Sequence, residues 1–197
     1  MTSFSSVSSP FNLPPGIEQV LQDQKTPAVS LDDRMRLVIR LALWNVEQGI
    51  GGPFGAAVFE VQSGVLISIG VNLVTLTTCS HAHAEMVALA NAQQQVRNFD
   101  LGSPGLPPHE LVTSCEPCAM CFGAIPLSGI RSLVCGARSE DAEVFGFDEG
   151  AKPKHWATAL EERGIAVVRD VRREEAVEIF HEYRKRGGPV YNPRRGR

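Results

Sequence analysis

The chain contains the stretch Cys115-Glu116-Pro117-Cys118-Ala119-Met120-Cys121, which holds three of its five cysteines. Cys118 and Cys121 are three residues apart, so one helix would place both thiols on the same side. Pro117 suits the first turn of such a helix, where the helix dipole favours thiolate over thiol. His83, further back in the chain, offers an imidazole as a third ligand. The stretch therefore predicts a metal site at the beginning of a helix.

Two kinds of metal centre compete for this stretch. The three cysteines form a Cys-x-x-Cys-x-x-Cys run, which also begins a bacterial iron–sulfur motif. That motif needs a fourth cysteine directly before a proline, and here Ile125 stands before Pro126. Zinc needs only His83, Cys118 and Cys121, with the fourth tetrahedral position left for water at a catalytic centre. We therefore predict one Zn²⁺ per chain.

Glu85 follows the predicted histidine ligand by two residues. Together, His83-Ala84-Glu85 and Pro117-Cys118-Ala119-Met120-Cys121 make up the signature of zinc nucleobase deaminases. In such a site Glu85 would carry protons from the bound water to the ring nitrogen and the leaving amine. A lone histidine, Cys-x-x-Cys or glutamate is commonly structural, so this prediction depends on their conjunction.

Beyond these motifs the chain resembles the cytidine and deoxycytidylate deaminase superfamily, and within it the guanine deaminase branch. The likeness is carried by Gly51-Gly52-Pro53-Phe54-Gly55-Ala56, residues 81–85, residues 113–118, Gly123-Ala124-Ile125 and residues 143–149. The resemblance implies a zinc hydrolase that deaminates a free purine base, with water as co-substrate and release of ammonia. Within this branch the expected reaction is guanine to xanthine. It also implies a homodimer whose subunits exchange C-terminal segments.

The resemblance further implies site residues outside the zinc motif. Asn72 matches an asparagine that hydrogen-bonds the purine, and Ala84 matches a residue whose backbone amide meets the base. Glu149 matches an acidic residue that reaches the base, which makes it a second catalytic candidate. Tyr191 matches a C-terminal tyrosine that closes the pocket. A carboxylate at Glu149 suits guanine, because the N1–H and 2-amino groups form a paired donor edge.

Composition and charge narrow the class of protein. The 197 residues are 43% hydrophobic, enough for one core. No apolar run approaches the length of about 18 residues that a transmembrane helix needs, and residues 1–10 do not resemble a signal peptide. We therefore expect a cytoplasmic protein.

The charge is unevenly distributed along the chain. Residues 184–197 carry six basic and no acidic side chains, so the remaining 13 basic and 22 acidic residues give residues 1–183 a charge of −9. An acidic body speaks against a broad nucleic-acid-binding face.

Periodicity predicts an α/β fold of three layers, a cytidine deaminase-like α/β/α sandwich around a five-stranded mixed sheet. Helical patterns run from an N-cap at Ser30 to Gly49, over 84–96, over 154–163 and over 172–186, and a short helix is expected within 17–22. Strand-like runs cover 55–61, 65–71, 111–114, 132–136 and 165–170. We predict a flexible N-terminal arm (1–29), a deaminase domain (30–186) and a basic C-terminal tail (187–197).

Three other functions stay open at this point. A tRNA adenosine deaminase would share the zinc motif but should display a basic surface for RNA. A deaminase of cytosine or another small amino-heterocycle would differ only in pocket shape. A non-catalytic zinc module is disfavoured by Glu85, because no structural role requires a carboxylate there.

Overall fold

Helices and strands alternate through most of the chain. The computed structural model describes residues 11–22 and 27–192. In this part of the chain the strands are β1 (Gly55–Glu60), β2 (Leu66–Val71), β3 (His109–Cys115), β4 (Ser132–Ala137) and β5 (Ala166–Val168). The helices are α1 (Leu31–Glu47), α2 (Val74–Thr77), α3 (Ala84–Val96), α4 (Ala119–Leu127), α5 (Ser139–Val144), α6 (Trp156–Glu161) and α7 (Arg173–Lys185), preceded by a 3₁₀ helix over Ile17–Leu21.

The five strands form one mixed sheet in the order β2-β1-β3-β4-β5. Strand β1 runs antiparallel to both of its neighbours, whereas β3, β4 and β5 are parallel. Because β2 and β3 are both antiparallel to β1, they point the same way. Their carboxyl ends therefore lie at one edge of the sheet, and this edge carries the functional site.

The two faces of the sheet pack against different helices. Successive side chains of a strand point to opposite faces. In β1, Ala57 and Phe59 join the apolar core that includes α1 and α7, whereas Ala56 and Val58 join the core that includes α3 and the buried side chains of α4 and α6. The predicted three-layer α/β/α sandwich with a five-stranded mixed sheet is confirmed.

Two glycines let helices approach the sheet at backbone distance. A Cβ at Gly55 in β1 would lie 2.5 Å from the carbonyl oxygen of Val38 in α1. A Cβ at Gly70 in β2 would lie 2.2 Å from the carbonyl oxygen of Ala84, the first residue of α3. Any side chain at Gly70 would push the beginning of α3 away from the sheet, and that beginning belongs to the functional site.

The sequence predicted the long elements better than the short ones. Ser30 caps α1 by accepting a hydrogen bond from the backbone N–H of Asp33 at 3.1 Å, as predicted. Helix α3 has the predicted bounds, and β3 is longer than the predicted 111–114. Helices α2 and α5 were not predicted, because elements of four and six residues show too little periodicity.

The N-terminal segment is partly packed. Ile17 and Val20 are buried in the same core as α1, and the expected short helix is the 3₁₀ helix. Residues 1–10 and 23–26 of the predicted arm, and residues 193–197 of the predicted tail, lie outside the described residues. The domain boundaries therefore stay a prediction. Among the described helices none combines the length and apolarity needed to span a membrane.

A buried ion pair ties α1 to β3. The Arg34 guanidinium donates to Glu110 at 2.8 Å, and both side chains are less than 5% exposed. Arg34 also donates to the carbonyl oxygens of Ala28 and Val61, and Glu110 accepts from Ser132 at 2.7 Å. Every charge of the pair is thus hydrogen-bonded, which compensates for its removal from water.

Removing Arg34 should be far more costly than removing Arg36, its neighbour on the same helix. Arg36 contacts Asp32 at the same distance of 2.8 Å, but these two side chains are 54% and 52% exposed. We expect Arg34→Ala to lower the free energy of unfolding by about 3–5 kcal/mol, because Glu110 keeps an uncompensated buried charge. Arg36→Ala should cost less than about 1 kcal/mol. Urea denaturation of both variants measures the difference, and equal losses would contradict it.

Candidate metal centre and active-site cavity

The beginning of α3 presents His83 and Glu85 at the edge of the sheet. His83 is the N-cap of α3 in an extended conformation, and Glu85 lies in the first turn. Ala84 between them is fully buried, with its carbonyl against Gly70 of β2. This close packing orients both functional side chains away from the sheet and toward the beginning of α4.

The beginning of α4 presents the two cysteines. Strand β3 ends at Cys115, and the chain enters α4 with Cys118 as N-cap and Cys121 in the first turn. The backbone N–H of Phe122 donates to the carbonyl of Cys118 at 2.8 Å, which closes the first helical turn. Pro117 therefore lies just before the helix and not in its first turn, where the sequence had placed it.

The distances between the three candidate ligands fit a tetrahedral metal. Nδ1 of His83 lies 3.5 Å from Sγ of Cys118 and 3.7 Å from Sγ of Cys121, and all three ligand atoms lie within 4.8 Å of one another. In a tetrahedron with usual Zn–N and Zn–S bond lengths, a nitrogen and a sulfur ligand are about 3.5 Å apart. Two sulfurs and one imidazole are also the donor set that zinc prefers.

The charges at this point favour a cation. The pKa of Cys118 is lowered to about 4 by side-chain hydrogen bonds with Cys121 and with His83, against the opposite effect of burial. The hydrogen bond to Cys118 and burial raise the pKa of Cys121 well above its usual value. One thiolate thus forms readily, and the second needs the positive charge of a metal to lose its proton.

A cavity of about 570 Å³ opens on His83 and Cys118, two of the three candidate ligands. Its walls combine aromatic side chains with carboxylates, among them Phe54, Phe147, Tyr191, Glu85 and Glu149. Flat aromatic walls and a few convergent polar groups are typical of a small-molecule site. None of the described residues that line the cavity is a lysine or an arginine.

Two buried carboxyl groups face this cavity. Burial raises the pKa of Glu85 to about 7, and the negative charge of Cys118 adds to the effect. The same two causes raise the pKa of Glu149 to about 8. Each side chain is only 6% exposed. Carboxyl groups with these pKa values can both accept and donate protons near neutral pH.

Glu149 reaches the cavity from the loop that follows α5. Its backbone carbonyl accepts a hydrogen bond from the N–H of Ala119, the first residue of α4, at 2.8 Å. Its carboxylate accepts from the hydroxyl of Ser139 at 3.2 Å. The loop is therefore attached to the same helix that carries the cysteines, which brings Glu149 and the metal ligands into one cavity.

Asn72 and Tyr191 lie together at another wall. The Asn72 side-chain N–H donates to the Tyr191 hydroxyl at 2.7 Å, and its oxygen accepts from the backbone N–H groups of Gly52 and Val74, both at 3.3 Å. Tyr191 lines the cavity, whereas Asn72 is buried next to it. The proposed contacts of Asn72, Ala84, Glu149 and Tyr191 with a base stay predictions.

Three polar residues that were not predicted as candidates from the sequence lie at or near the cavity: Glu116, Ser139 and Lys152. Glu116 lines the cavity and is 4% exposed. Ser139 and Lys152 contact each other near Glu149. Glu116 stands within the cysteine stretch, which could have drawn attention to it. Ser139 and Lys152 lie on separate elements and carry no motif.

Cys115 should be dispensable for the metal, although it belongs to the cysteine run. Its thiol is buried at the end of β3, donates to the carbonyl of Arg138 at 3.5 Å and has a pKa raised well above its usual value by burial. We expect Cys115→Ala to keep about one zinc per chain and Cys118→Ala to lose it. Elemental analysis of the purified variants decides. Loss of zinc from Cys115→Ala would contradict the predicted ligand set. Iron with acid-labile sulfide in the unmodified protein would contradict the prediction of zinc.

The chain is similar in sequence to known deaminases. Residues 30–137 match the family model of the cytidine and deoxycytidylate deaminase zinc-binding region. The guanine deaminase of Bacillus subtilis (strain 168) is 38% identical over 131 residues, which are 66% of this chain and 80% of the relative. A tRNA-specific adenosine deaminase of Buchnera aphidicola subsp. Schizaphis graminum (strain Sg) is 30% identical over 152 residues, or 77% of this chain and 91% of the relative.

A solved structure gives a longer match. The guanine deaminase from Nitrosomonas europaea has a TM-score of 0.83 and 46% identity, covering 88% of this chain and 94% of that chain. The match includes the fold, and the His83, Cys118 and Cys121 cluster offers the one histidine and two cysteines that the family signature requires. This chain belongs to the zinc-binding cytidine and deoxycytidylate deaminase family of hydrolytic enzymes.

Proposed function

We propose that this enzyme deaminates free guanine to xanthine with release of ammonia. The observation that carries the proposal is the placement of Glu85 and Glu149 in one cavity with the candidate zinc ligands. The similarity to guanine deaminases from two bacteria supports the same substrate. Guanine is flat and fits between aromatic walls. It also presents an edge of hydrogen-bond donors, from which the Glu149 carboxylate can accept hydrogen bonds.

His83, Cys118 and Cys121 would hold the zinc ion. Zinc bound there supplies a Lewis acid, which makes water a nucleophile at neutral pH. Glu85, in the first turn of α3 beside His83, takes a proton from the attacking water and delivers it to the ring nitrogen next to C2. The water oxygen bonds to C2 first, the C2–amino bond then breaks, and ammonia leaves with the second proton of the water, carried by the same relay. Glu149 accepts hydrogen bonds from N1–H and from the amino group that leaves.

The tRNA adenosine deaminase function remains the second candidate, because such an enzyme is among the relatives. An anticodon loop would bring phosphates to the mouth of the site, and phosphates need lysine or arginine. Within the described residues the cavity lining has neither. The basic residues at 194, 195 and 197 lie outside the described part of the chain. Free guanine therefore suits the cavity better.

Ammonia release separates the candidate substrates. The zinc-loaded protein is assayed with guanine, adenine, cytosine, an aminotriazine, the corresponding nucleosides and transcribed tRNA. We expect release from guanine. Release from tRNA alone would overturn the proposal in favour of the second candidate, and release from cytosine alone would assign the pocket to a pyrimidine.

We also propose that the enzyme is a cytoplasmic homodimer. The resemblance implies that C-terminal segments are exchanged between subunits. Here Tyr191 contacts Asn72 of its own chain, and its ring packs edge-on against Phe147 at 5.8 Å between centroids. In an exchanged dimer the tyrosine of the other subunit would take the same place, so a tyrosine would border the cavity in either arrangement.

Replacing Glu85 by glutamine should strongly reduce turnover and leave the zinc bound. The amide keeps the shape of the side chain but cannot relay protons. We expect kcat for guanine to fall by about 10²–10⁴-fold or more, because the residue acts in more than one transfer. Zinc content and the circular dichroism spectrum should match those of the wild type. Activity near the wild-type level would move the proton relay to another group, with Glu149 the first to test.

Replacing Glu149 by alanine should weaken guanine turnover through lost hydrogen bonds. The donors of the base would be left unpaired in a closed cavity, at a cost of roughly 1–3 kcal/mol, or at least about tenfold in kcat/KM. Asp148→Ala is the matched control, because that neighbouring carboxylate also borders the cavity but is exposed. Steady-state kinetics of both variants provide the comparison. An equal loss in the control would rule out a specific role for Glu149.

A further inference from the structure

Behind Glu149 lies a short chain of hydrogen bonds that the reaction, as described above, does not use. The Lys152 ammonium donates to the Ser139 hydroxyl and to the carbonyl oxygen of Pro117, the latter at 2.7 Å. The Ser139 hydroxyl in turn contacts Oε2 of Glu149 at 3.2 Å. Two parts of the chain thus meet at one carboxylate: the beginning of α5, and the loop between α5 and α6, which carries both Glu149 and Lys152.

The chemistry of the three groups determines the direction of these bonds. An ammonium group can only donate, so the Ser139 oxygen accepts from Lys152. A hydroxyl has a single proton, which is then directed to Oε2 of Glu149. That oxygen therefore acts as an acceptor toward Ser139. The other oxygen of Glu149 takes no part in this chain of hydrogen bonds and is available to a ligand in the cavity.

Both donors are held in place by their surroundings. Lys152 lies over the ring of Trp156 at 4.9 Å, a cation–π contact, and Trp156 is 6% exposed. The backbone N–H of Ser139 donates to Glu116 at 3.2 Å. Glu116 is itself paired with Arg169, whose guanidinium stacks on Trp156 at 5.5 Å. The relay is therefore preorganised, as the orientation of a reacting carboxylate requires.

We propose that Ser139 and Lys152 are positioning residues, which hold the Oε2 atom of Glu149 in place, so that the carboxylate is oriented toward the donor edge of the base. This inference rests on the proposed function, in which Glu149 binds guanine. Neither residue touches the base itself. Lys152 acts through Ser139, and Ser139 acts through Glu149.

Substitutions at Ser139 test the relay without disturbing Lys152. Ser139→Ala removes the hydroxyl but leaves Lys152 its contacts with Pro117 and Trp156. We expect kcat/KM for guanine to fall about tenfold, the size of a lost hydrogen bond to a charged group. Ser139→Thr keeps the hydroxyl and should restore most of the activity. Lys152→Met keeps the apolar stem on Trp156 and should lower kcat/KM to a similar extent.

A double-mutant comparison distinguishes positioning from a general structural role. If Ser139 acts through Glu149, Ser139→Ala should cause almost no further loss in a Glu149→Ala background. Likewise, Lys152→Met should add little to Ser139→Ala. Independent, multiplying losses in either comparison would overturn the proposal, because they would show that these residues support the enzyme by another route.

A structural readout keeps the test independent of the substrate. Crystal structures of the zinc-loaded wild type, Ser139→Ala and Ser139→Thr should show the Glu149 carboxylate in one orientation in the wild type and the threonine variant, and rotated or disordered in the alanine variant. An unchanged carboxylate in Ser139→Ala would overturn the inference. Absence of guanine turnover in the wild type would overturn the proposed function instead, and the crystal structures would still decide the role of Ser139.

Discussion

The meeting of two helix beginnings at one edge of the sheet is the constraint on which the site depends. Strands β2 and β3 point the same way because each is antiparallel to β1, so the segments that follow them emerge at the same edge. Helix α3 is seated against β2 at Gly70, and β3 leads directly into α4. His83 and the two cysteines are therefore brought within bonding range of one ion, although 35 residues separate His83 from Cys118 in the chain.

Buried charge gives the cavity its chemistry and must be compensated elsewhere. The pKa values of Glu85 and Glu149 are raised because both carboxyl groups are buried and because the Cys118 thiolate lies close to them. Two cationic side chains outside the cavity lining compensate for this negative charge. Arg169 pairs directly with Glu116, and Lys152 is connected to Glu149 through the Ser139 hydroxyl. The positive charges are therefore close enough to order the carboxylates without filling the space that a base needs. This arrangement suits a neutral base better than a polyanion.

The long elements and the candidate metal ligands could be predicted because their signals are local. A cap at Ser30, an apolar helical period and a Cys-x-x-Cys spacing are each contained within one turn or a few turns of chain. The short helices α2 and α5 were missed for the same reason, since four or six residues carry almost no period. The contact between Asn72 and Tyr191 joins residues 119 positions apart, and no local pattern predicts such a pair.

The sequence by itself determined the fold class, the zinc motif and the candidate proton carrier Glu85 beside it, because each depends on residue type and on spacing along the chain. The resemblance to known deaminases added Glu149 and Tyr191 as candidates, but not their surroundings. Only the tertiary structure decided that the cavity is acidic and aromatic, that Cys115 faces Arg138 instead of the metal centre, and that Lys152 and Ser139 stand behind Glu149. These facts depend on packing between distant segments, where side chains of unrelated elements meet through burial and hydrogen bonding and leave no periodic trace in the chain.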